Sequence, residues 1–161
     1  MVRTLPIALD AMGGDKAPES VIAGARRALK MFPDARFIFF GREPVIAPLI
    51  HRNRHLAAVS EIVHMENVVA MDAKPSIALR QGKDSSMRAA LDAVAQGRAC
   101  AMVSAGNTGA LMAMAKIVLK TLPGIDRPAI ASVTPSQRRP VVVLDLGANI
   151  ECGAEHLFQF A

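Results

Sequence analysis

One glycine-rich segment of the sequence has the composition of an anion-binding loop. Residues 104–110 read SAGNTGA, follow the apolar run 99–103, and precede apolar residues that recur at helical spacing. Backbone N–H groups at the start of a helix point outward, the helix dipole favours anions, and glycine permits close approach. The pattern therefore predicts a phosphate site with added donors from Ser104, Asn107 and Thr108. The alternative is a tight turn with Thr108 as the helix N-cap.

Two further segments place acidic or amide side chains where apolar runs end. ALDAMGGD occupies residues 8–15, and DLGAN occupies residues 145–149. Carboxylates at such positions could bind a divalent ion or act as a general base. We favour loop-ordering acids, with glycines supplying unusual φ angles, and we expect no metal. The predicted crevice residues are Asp10, Gly13, Gly14, Asp15, Asp145 and Asn149.

A fourth segment, KDSSMRAAL at 83–91, places cations around a serine pair. Ser85 or Ser86 is expected to cap a helix. Lys83, with Arg80 shortly before it, is the candidate to neutralise a bound anion. A serine nucleophile is disfavoured, because no paired His and Asp is suggested by position.

Short apolar runs alternate with helical patterns along the chain, which is typical of a parallel sheet with helices on both faces. The chain is therefore predicted to be an α/β protein, and ligands of such sheets bind beyond the carboxyl ends of the strands. The predicted strands are 6–10, 36–40, 60–65, 99–104, 129–134 and 141–146. The clearest predicted helices are 20–31, 83–96 and 108–122.

Composition narrows the classes of partner. The net charge of +5 indicates anionic partners, but Trp and Tyr are absent and the basic residues fall into separate groups. Nucleic acid is therefore disfavoured, whereas small phosphates, carboxylates or an acidic protein are favoured. Neither GxGxxG nor GxxxxGK[ST] occurs, so no nucleotide cofactor is expected. The two cysteines lack metal-site spacing, and a metal at His51 and His55 is disfavoured by the arginines around them.

Length and hydropathy give expectations about organisation and compartment. A chain of 161 residues suits a single α/β domain portion over residues 1–161, and no apolar run approaches the roughly 18 residues that span a bilayer. The first residues lack the features of a secretory leader, so a cytoplasmic location is expected. The segment ECGAEHLFQFA is expected to begin a helix and to stop within it, as in a fragment.

Taken together, the motifs resemble those of the bacterial acyl-acyl carrier protein:phosphate acyltransferases of phospholipid synthesis. The similarity runs from end to end, over the first half of a family chain about twice as long. It is carried by ALDAMGGDKAP, SSMRAAL, VSAGNTGALMAMAK, GIDRPAI and VVVLDLGANIEC, in that order.

The resemblance implies a fold, a reaction and partners. The fold is a three-layer α/β/α sandwich with a largely parallel sheet, similar to isopropylmalate dehydrogenases and phosphotransacetylases. The reaction moves a fatty acyl group from acyl carrier protein to inorganic phosphate and forms acyl phosphate for glycerophospholipid synthesis. A homodimer without metal or nucleotide is implied, and peripheral membrane contact is expected only through the other half of the family chain.

The resemblance also suggests roles for the loop residues. Ser104, Ala105, Gly106, Asn107, Thr108 and Gly109 are expected to hold phosphate. Asn107 is expected to orient phosphate or to donate to the developing oxyanion, and Lys83 with Arg80 is expected to balance charge. Two alternatives stay open: a dehydrogenase of the isopropylmalate type on the same fold, and a non-catalytic fragment that binds a partner.

Overall fold

The computed structural model describes residues 5–149 and 151–161. Contacts within the chain divide it into two compact units, Met1–Leu119 and Lys120–Ala161. The expectation that residues 1–161 form one domain stays a prediction. None of the helices in the described residues is long and apolar enough to cross a lipid bilayer.

The first unit is built on a four-stranded parallel sheet. Its strands are β1 (Ile7–Asp10), β2 (Phe37–Gly41), β3 (Ser60–His64) and β4 (Ala101–Val103), in the spatial order β3-β2-β1-β4. Every residue of β2 is buried, because this strand is covered on both faces. The carboxyl ends of β1 and β4, which are paired neighbours, therefore lie at the same edge of the sheet.

Within residues 5–119, six helices cover both faces of the sheet. They are α1 (Glu19–Met31), α2 (Glu43–His51), α3 (Arg54–Ala58), α4 (Pro75–Gln81), α5 (Ser86–Ala95) and α6 (Thr108–Val118). Alternate strand residues point to opposite faces. Leu9, Phe37 and Phe39 pack with α1 to α3, whereas Ala8, Ile38 and Phe40 pack with α5. These layers confirm the predicted α/β/α class.

A third apolar cluster joins the helices that follow the candidate site segments. It unites Val69 and Ala78 with Met87 and Leu91 of α5, and with Ala110 and Met114 of α6. Helices α4, α5 and α6 therefore form one packed group. This packing fixes the position of the α6 N-terminus relative to α4.

Several predicted boundaries differ from the structure. Helices α2, α3 and α4 were not among the predicted elements, since α2 contains Pro44 and Pro48 and α3 is barely longer than one turn. The predicted helix 83–96 begins only at Ser86, because Ser85 is its N-cap. The predicted helix 108–122 ends at Val118, and Lys120 after it has a positive φ of 64°.

The second unit contains β5 (Ala131–Thr134), β6 (Val141–Leu144) and α7 (Ala154–Phe160). The predicted strands 129–134 and 141–146 are present as β5 and β6, and they form an antiparallel pair separate from the parallel sheet of β1 to β4. The six residues between them, 135–140, make a hairpin connection short enough for antiparallel neighbours. The C-terminal helix was predicted from ECGAEHLFQFA, and α7 confirms it.

Candidate functional site

Asp10 lies at the carboxyl end of β1, and its side chain joins three segments of the first unit. The residue is only 1% exposed. The Ser86 hydroxyl donates to Asp10 Oδ1 at 2.6 Å, and the Ser104 hydroxyl donates to Oδ2 at 2.7 Å. The Met12 N–H adds a 3.3 Å bond to Oδ1. We call Asp10, Met12, Ser86 and Ser104 the Asp10 cluster.

The Asp10 cluster explains how a carboxylate is accommodated in the interior. Burying a charge is unfavourable unless hydrogen bonds replace its water, and bonds to an ionised acceptor are stronger than neutral ones. Three donors meet that requirement without a cation. The contacts agree with the expectation that Asp10 orders loops. Sequence reasoning missed the partner role of Ser86, because nothing in the sequence shows that α5 begins beside β1.

Two glycines bring the loop after β1 against the loop after β4. A Cβ built on Gly13 would lie 2.5 Å from Asp10 Oδ2, 2.7 Å from Ser104 Oγ and 2.9 Å from the Gly106 nitrogen. A Cβ on Gly14, whose φ is +101°, would lie 2.9 Å from the Ala105 carbonyl oxygen. The predicted segments AMGGD and SAGNTG are thus in direct contact. Because glycine has no Cβ, only glycine at positions 13 and 14 allows the two loops to lie this close together.

The start of α6 is held by Asn107, which is nine-tenths buried. Its Oδ1 accepts from the Ala110 N–H at 3.0 Å, so Asn107 is the N-cap and the alternative assignment of Thr108 as N-cap is wrong. Its amide nitrogen donates toward the carbonyl oxygens of Ala70, Met71 and Ala73 at 2.8 to 3.2 Å. Both polar groups of the side chain therefore have partners inside the protein.

The first turn of α6 also carries N–H groups that no helical carbonyl can reach. Ala110 uses the cap, whereas Thr108 and Gly109 precede it and are exposed. Ser104 is committed elsewhere, since it donates to Asp10 and accepts from the Gly106 N–H at 3.0 Å. Of the predicted phosphate loop, Thr108 and Gly109 are thus the residues that present donors to solvent at a positive helix end.

The structure places the predicted cations Arg80 and Lys83 farther along α6. Gly82, between them, lies against Met114, because a Cβ built there would be 2.7 Å from Met114 Cε. Pro75, at the other end of α4, is instead the neighbour of Gly109, at 3.1 Å from a Cβ built on it. Helix α4 therefore runs alongside α6 in the same direction, with Arg80 and Lys83 exposed near its end.

Lys74 is a cation that sequence reasoning missed. It is the exposed N-cap residue of α4 and precedes Pro75, so its backbone lies beside the start of α6. The available sequence signal was Lys-Pro-Ser, in which proline at the first helical position marks a helix start. Because helix α4 was not predicted, nothing in the sequence connected Lys74 with the predicted phosphate loop.

Asp145 and Asn149 lie in the second unit and bind each other. The Asn149 backbone N–H donates to Asp145 Oδ2 at 3.0 Å, and its amide nitrogen donates to Oδ1 at 2.6 Å and to the Pro128 carbonyl at 3.1 Å. These bonds order the turn 145–149, where Asp145 has a φ of +73°. Asp15, in the first unit, is exposed and takes no part in the Asp10 cluster.

The segments that meet around Asp10 belong to a chain that is similar to known proteins over nearly its whole length. Residues 5–161 match the family model described as fatty acid synthesis protein. The chain belongs to this family. It is 62% identical to the phosphate acyltransferase of Rhodospirillum centenum over 96% of this chain and 44% of the relative. It is 54% identical to the Rhodospirillum rubrum protein of the same name, over 100% of this chain and 46% of the relative.

This member of the fatty acid synthesis protein family thus spans less than half the length of these curated relatives. In the described part of the chain, no three His, Cys, Asp or Glu residues are grouped so as to hold a metal ion. An apolar cavity of about 420 Å³ lies next to the Asp10 cluster. It is lined by residues of β1, α1 and β4, among them Leu9, Val21 and Val103, and it touches Asp10 and Ala105.

Proposed function

We propose that the chain carries the phosphate-binding part of an acyltransferase that moves a fatty acyl group from acyl carrier protein to inorganic phosphate. The observation that carries the proposal is the exposed first turn of α6, whose preceding loop the Asp10 cluster holds against the loop after β1. The family match and the name of the relatives, phosphate acyltransferase, support the same reaction class.

Phosphate is assigned to the N–H groups of Thr108 and Gly109 and to the Thr108 hydroxyl. Fixed N–H donors at the positive end of a helix bind an oxyanion without reorganisation. Lys74 is proposed as the nearby cation, a role first predicted for Lys83 with Arg80. Those two residues stay candidates for charge balance, farther along the helix pair.

The reaction needs phosphate to be positioned next to a thioester. A phosphate oxygen attacks the thioester carbonyl carbon, the new C–O bond forms, and the C–S bond breaks. The carrier thiol leaves with the proton that phosphate releases. A loop that holds phosphate next to the thioester makes the attack effectively unimolecular. This positioning is the main contribution of a binding loop to the rate. The apolar cavity beside Asp10 and Ala105 is a suitable surface for the acyl chain.

Asn107 is proposed to act as a positioning residue for this loop. Its amide connects the segment 70–73 to α6, and its carbonyl oxygen caps the helix. The predicted direct contact of Asn107 with phosphate or oxyanion stays a prediction. Asn107→Ser retains a capping oxygen without adding charge and removes the amide donors. We expect this variant to retain more acyl phosphate formation than Asn107→Ala, and equal loss in both would favour the direct contact.

The decisive experiment measures acyl phosphate formation by the whole protein, with acyl carrier protein thioester, as phosphate is varied. Thr108→Val removes one donor and keeps the side-chain shape. We expect it to raise the KM for phosphate about tenfold, equivalent to about 1.4 kcal/mol. Thr121→Val makes the same chemical change beyond the other end of α6 and is expected to leave KM unchanged.

Two outcomes would contradict the proposal. If the whole protein releases no acyl phosphate but turns over a nicotinamide cofactor with a hydroxy acid, the dehydrogenase alternative is correct. If acyl phosphate forms and Thr108→Val behaves like Thr121→Val, the reaction stands and the assigned phosphate position is wrong.

A further inference from the structure

A second concave surface lies on the first unit, between α1 and the segment that joins α2 to α3. It consists of two hollows of about 430 and 180 Å³ that share Arg26 and Asn53. Together they follow the length of α1 from Glu19 and extend to Pro33 just beyond its end. At 1.5 Å per residue, this stretch of helix is about 20 Å long. We call this surface the α1–α3 groove.

The lining of the larger hollow is partly apolar. Pro33 and Ala58 are exposed, whereas Leu29 and Val59 are half-buried. Leu29 and Val59 form the floor, because they also pack on the core cluster beneath. Asn53 is fixed between the hollows, because its Oδ1 accepts from the Leu56 N–H at 2.9 Å. The groove is thus built on rigid elements.

The rim of the groove is strongly basic. Arg26 and Lys30 are four residues apart on α1 and share one face of that helix. Arg52, in the α2–α3 connection, and Arg54, the first residue of α3, line the other side, and all four residues are exposed. His55 adds a fifth basic side chain on the rim. Within residues 5–149 and 151–161, none of these groups is in an ion pair.

One acidic residue, Glu19, lines the smaller hollow and leaves the excess charge positive. In the sequence, Arg26 belongs to one basic group and Arg52 to Arg54 belong to another, separated by strand β2. The fold brings the two groups together across a distance of about 25 residues in the chain. This convergence is what makes the surface a candidate for an anionic partner.

The groove is separate from the candidate phosphate site. Val59 precedes β3 and its carbonyl accepts from the Phe37 N–H at 3.0 Å, so the larger hollow lies at the amino ends of the strands. Asp10 and the loop after β4 lie at the carboxyl ends. A ligand in the larger hollow would therefore bind without entering the proposed reaction centre, and the inference does not depend on the proposed function.

We propose that the α1–α3 groove is a docking surface for an acidic amphipathic helix of a partner protein. A helix laid between two helices buries an apolar face on the floor, and acidic residues on its flanks meet the rim. Unpaired cations on both sides of a narrow floor match acids on both flanks of such a helix. Met31 and Phe32 are exposed just beyond Lys30, so an anionic membrane is the alternative ligand that vesicle binding tests.

The test measures binding of a fluorescent peptide to the full chain. The peptide has about 16 residues, leucines on one helical face and glutamates on the other. A scrambled peptide of the same composition and vesicles of phosphatidylglycerol serve as alternative ligands. The variant Arg26→Glu with Lys30→Glu reverses the α1 rim. Arg138→Glu with Arg139→Glu makes the same change of net charge outside the groove.

We expect the rim reversal to weaken peptide binding at least tenfold and the matched reversal to weaken it less than twofold. Ala58→Trp fills the groove without changing charge and is also expected to weaken binding tenfold. Ala95→Trp, on the exposed end of α5, is its control. Far-ultraviolet circular dichroism confirms that each variant is folded.

Four results would overturn the proposal. They are equal losses in the two charge-reversal variants, equal binding of the scrambled peptide, no effect of Ala58→Trp in a folded protein, and binding of vesicles in preference to the peptide. Acyl phosphate formation is measured in parallel. Normal activity of the rim variant with lost peptide binding supports docking, whereas failure of the proposed function leaves the binding result unchanged.

Discussion

Asp10 and Asp145 are both buried aspartates at the ends of apolar strands, but their partners come from different distances along the chain. Asp10 receives hydroxyl groups from Ser86 and Ser104, which lie 76 and 94 residues away. Asp145 receives both of its bonds from Asn149, four residues away. The same residue type therefore fastens a tertiary junction in one unit and a local turn in the other.

The difference has a thermodynamic consequence. A local turn can keep much of its structure when one bond is lost, and its half-buried Asn149 can take up water. The Asp10 cluster instead holds α5 and the loop after β4 to β1, so its donors have no other partner in the interior. When one residue of a buried hydrogen-bonded set is removed, the remaining polar groups have no partner, and this lowers the free energy of unfolding more than the loss of an exposed bond does.

Asp10→Ala is expected to have the largest effect. It leaves the hydroxyls of Ser86 and Ser104 without their acceptor, and we expect the free energy of unfolding to fall by about 3 kcal/mol. Urea unfolding followed by circular dichroism measures this change. A loss below about 1 kcal/mol would mean that the cluster contributes no more than a local turn.

Gly13→Ala should rank second, because it tests the junction sterically and removes no bond. The added Cβ would meet Asp10 Oδ2, Ser104 Oγ and the Gly106 nitrogen at less than 3 Å. We expect a loss of about 2 kcal/mol, as for overpacking in a tight interior. Gly24→Ala, where a Cβ meets nothing within 4 Å, is the matched control. Similar stability of the two variants would show that the loops separate easily.

Ser86→Ala and Ser85→Ala compare a tertiary bond with a local cap in adjacent residues. Ser86 donates to Asp10, whereas Ser85 accepts from the Arg88 N–H at the start of α5. We expect losses of about 1.5 and about 1 kcal/mol respectively. Amide hydrogen exchange separates them: Ser86→Ala should raise exchange near Met12 and Gly106, and Ser85→Ala should raise it in the first turn of α5. The reverse pattern would contradict the assignment.

Asp145→Asn should have the smallest effect. Asparagine tolerates a positive φ and keeps one acceptor for Asn149. We expect a loss of about 0.5 kcal/mol, against about 2 kcal/mol for Asp10→Asn, in which an NH₂ group replaces one of the two oxygens that accept from Ser86 and Ser104. Urea unfolding of the two variants side by side makes the comparison. Equal losses would remove the distinction between local and tertiary aspartates.

Much of the first unit could be predicted from the sequence. The apolar runs that became β1, β2 and β3 and the helical patterns of α1, α5 and α6 depend on local periodicity, which the chain carries within each element. Helix α4 was missed because it is short. Without it, the site lacked Lys74, and the cations Arg80 and Lys83 were placed at the crevice. The antiparallel pairing of β5 and β6 was also missed, since the apolar pattern of a strand does not indicate which strand it pairs with.

The sequence by itself determined the α/β class and the positions of the loops that end β1 and β4, because glycine, serine and apolar spacing act locally. It also determined the family, through motifs that stand in fixed order. Only the tertiary structure decided that Asp10 binds Ser86 and Ser104, that Asn107 is committed to the loop 70–73, and that Arg26 faces Arg52. Such contacts join residues far apart in the chain, and their formation depends on how the sheet and helices pack together.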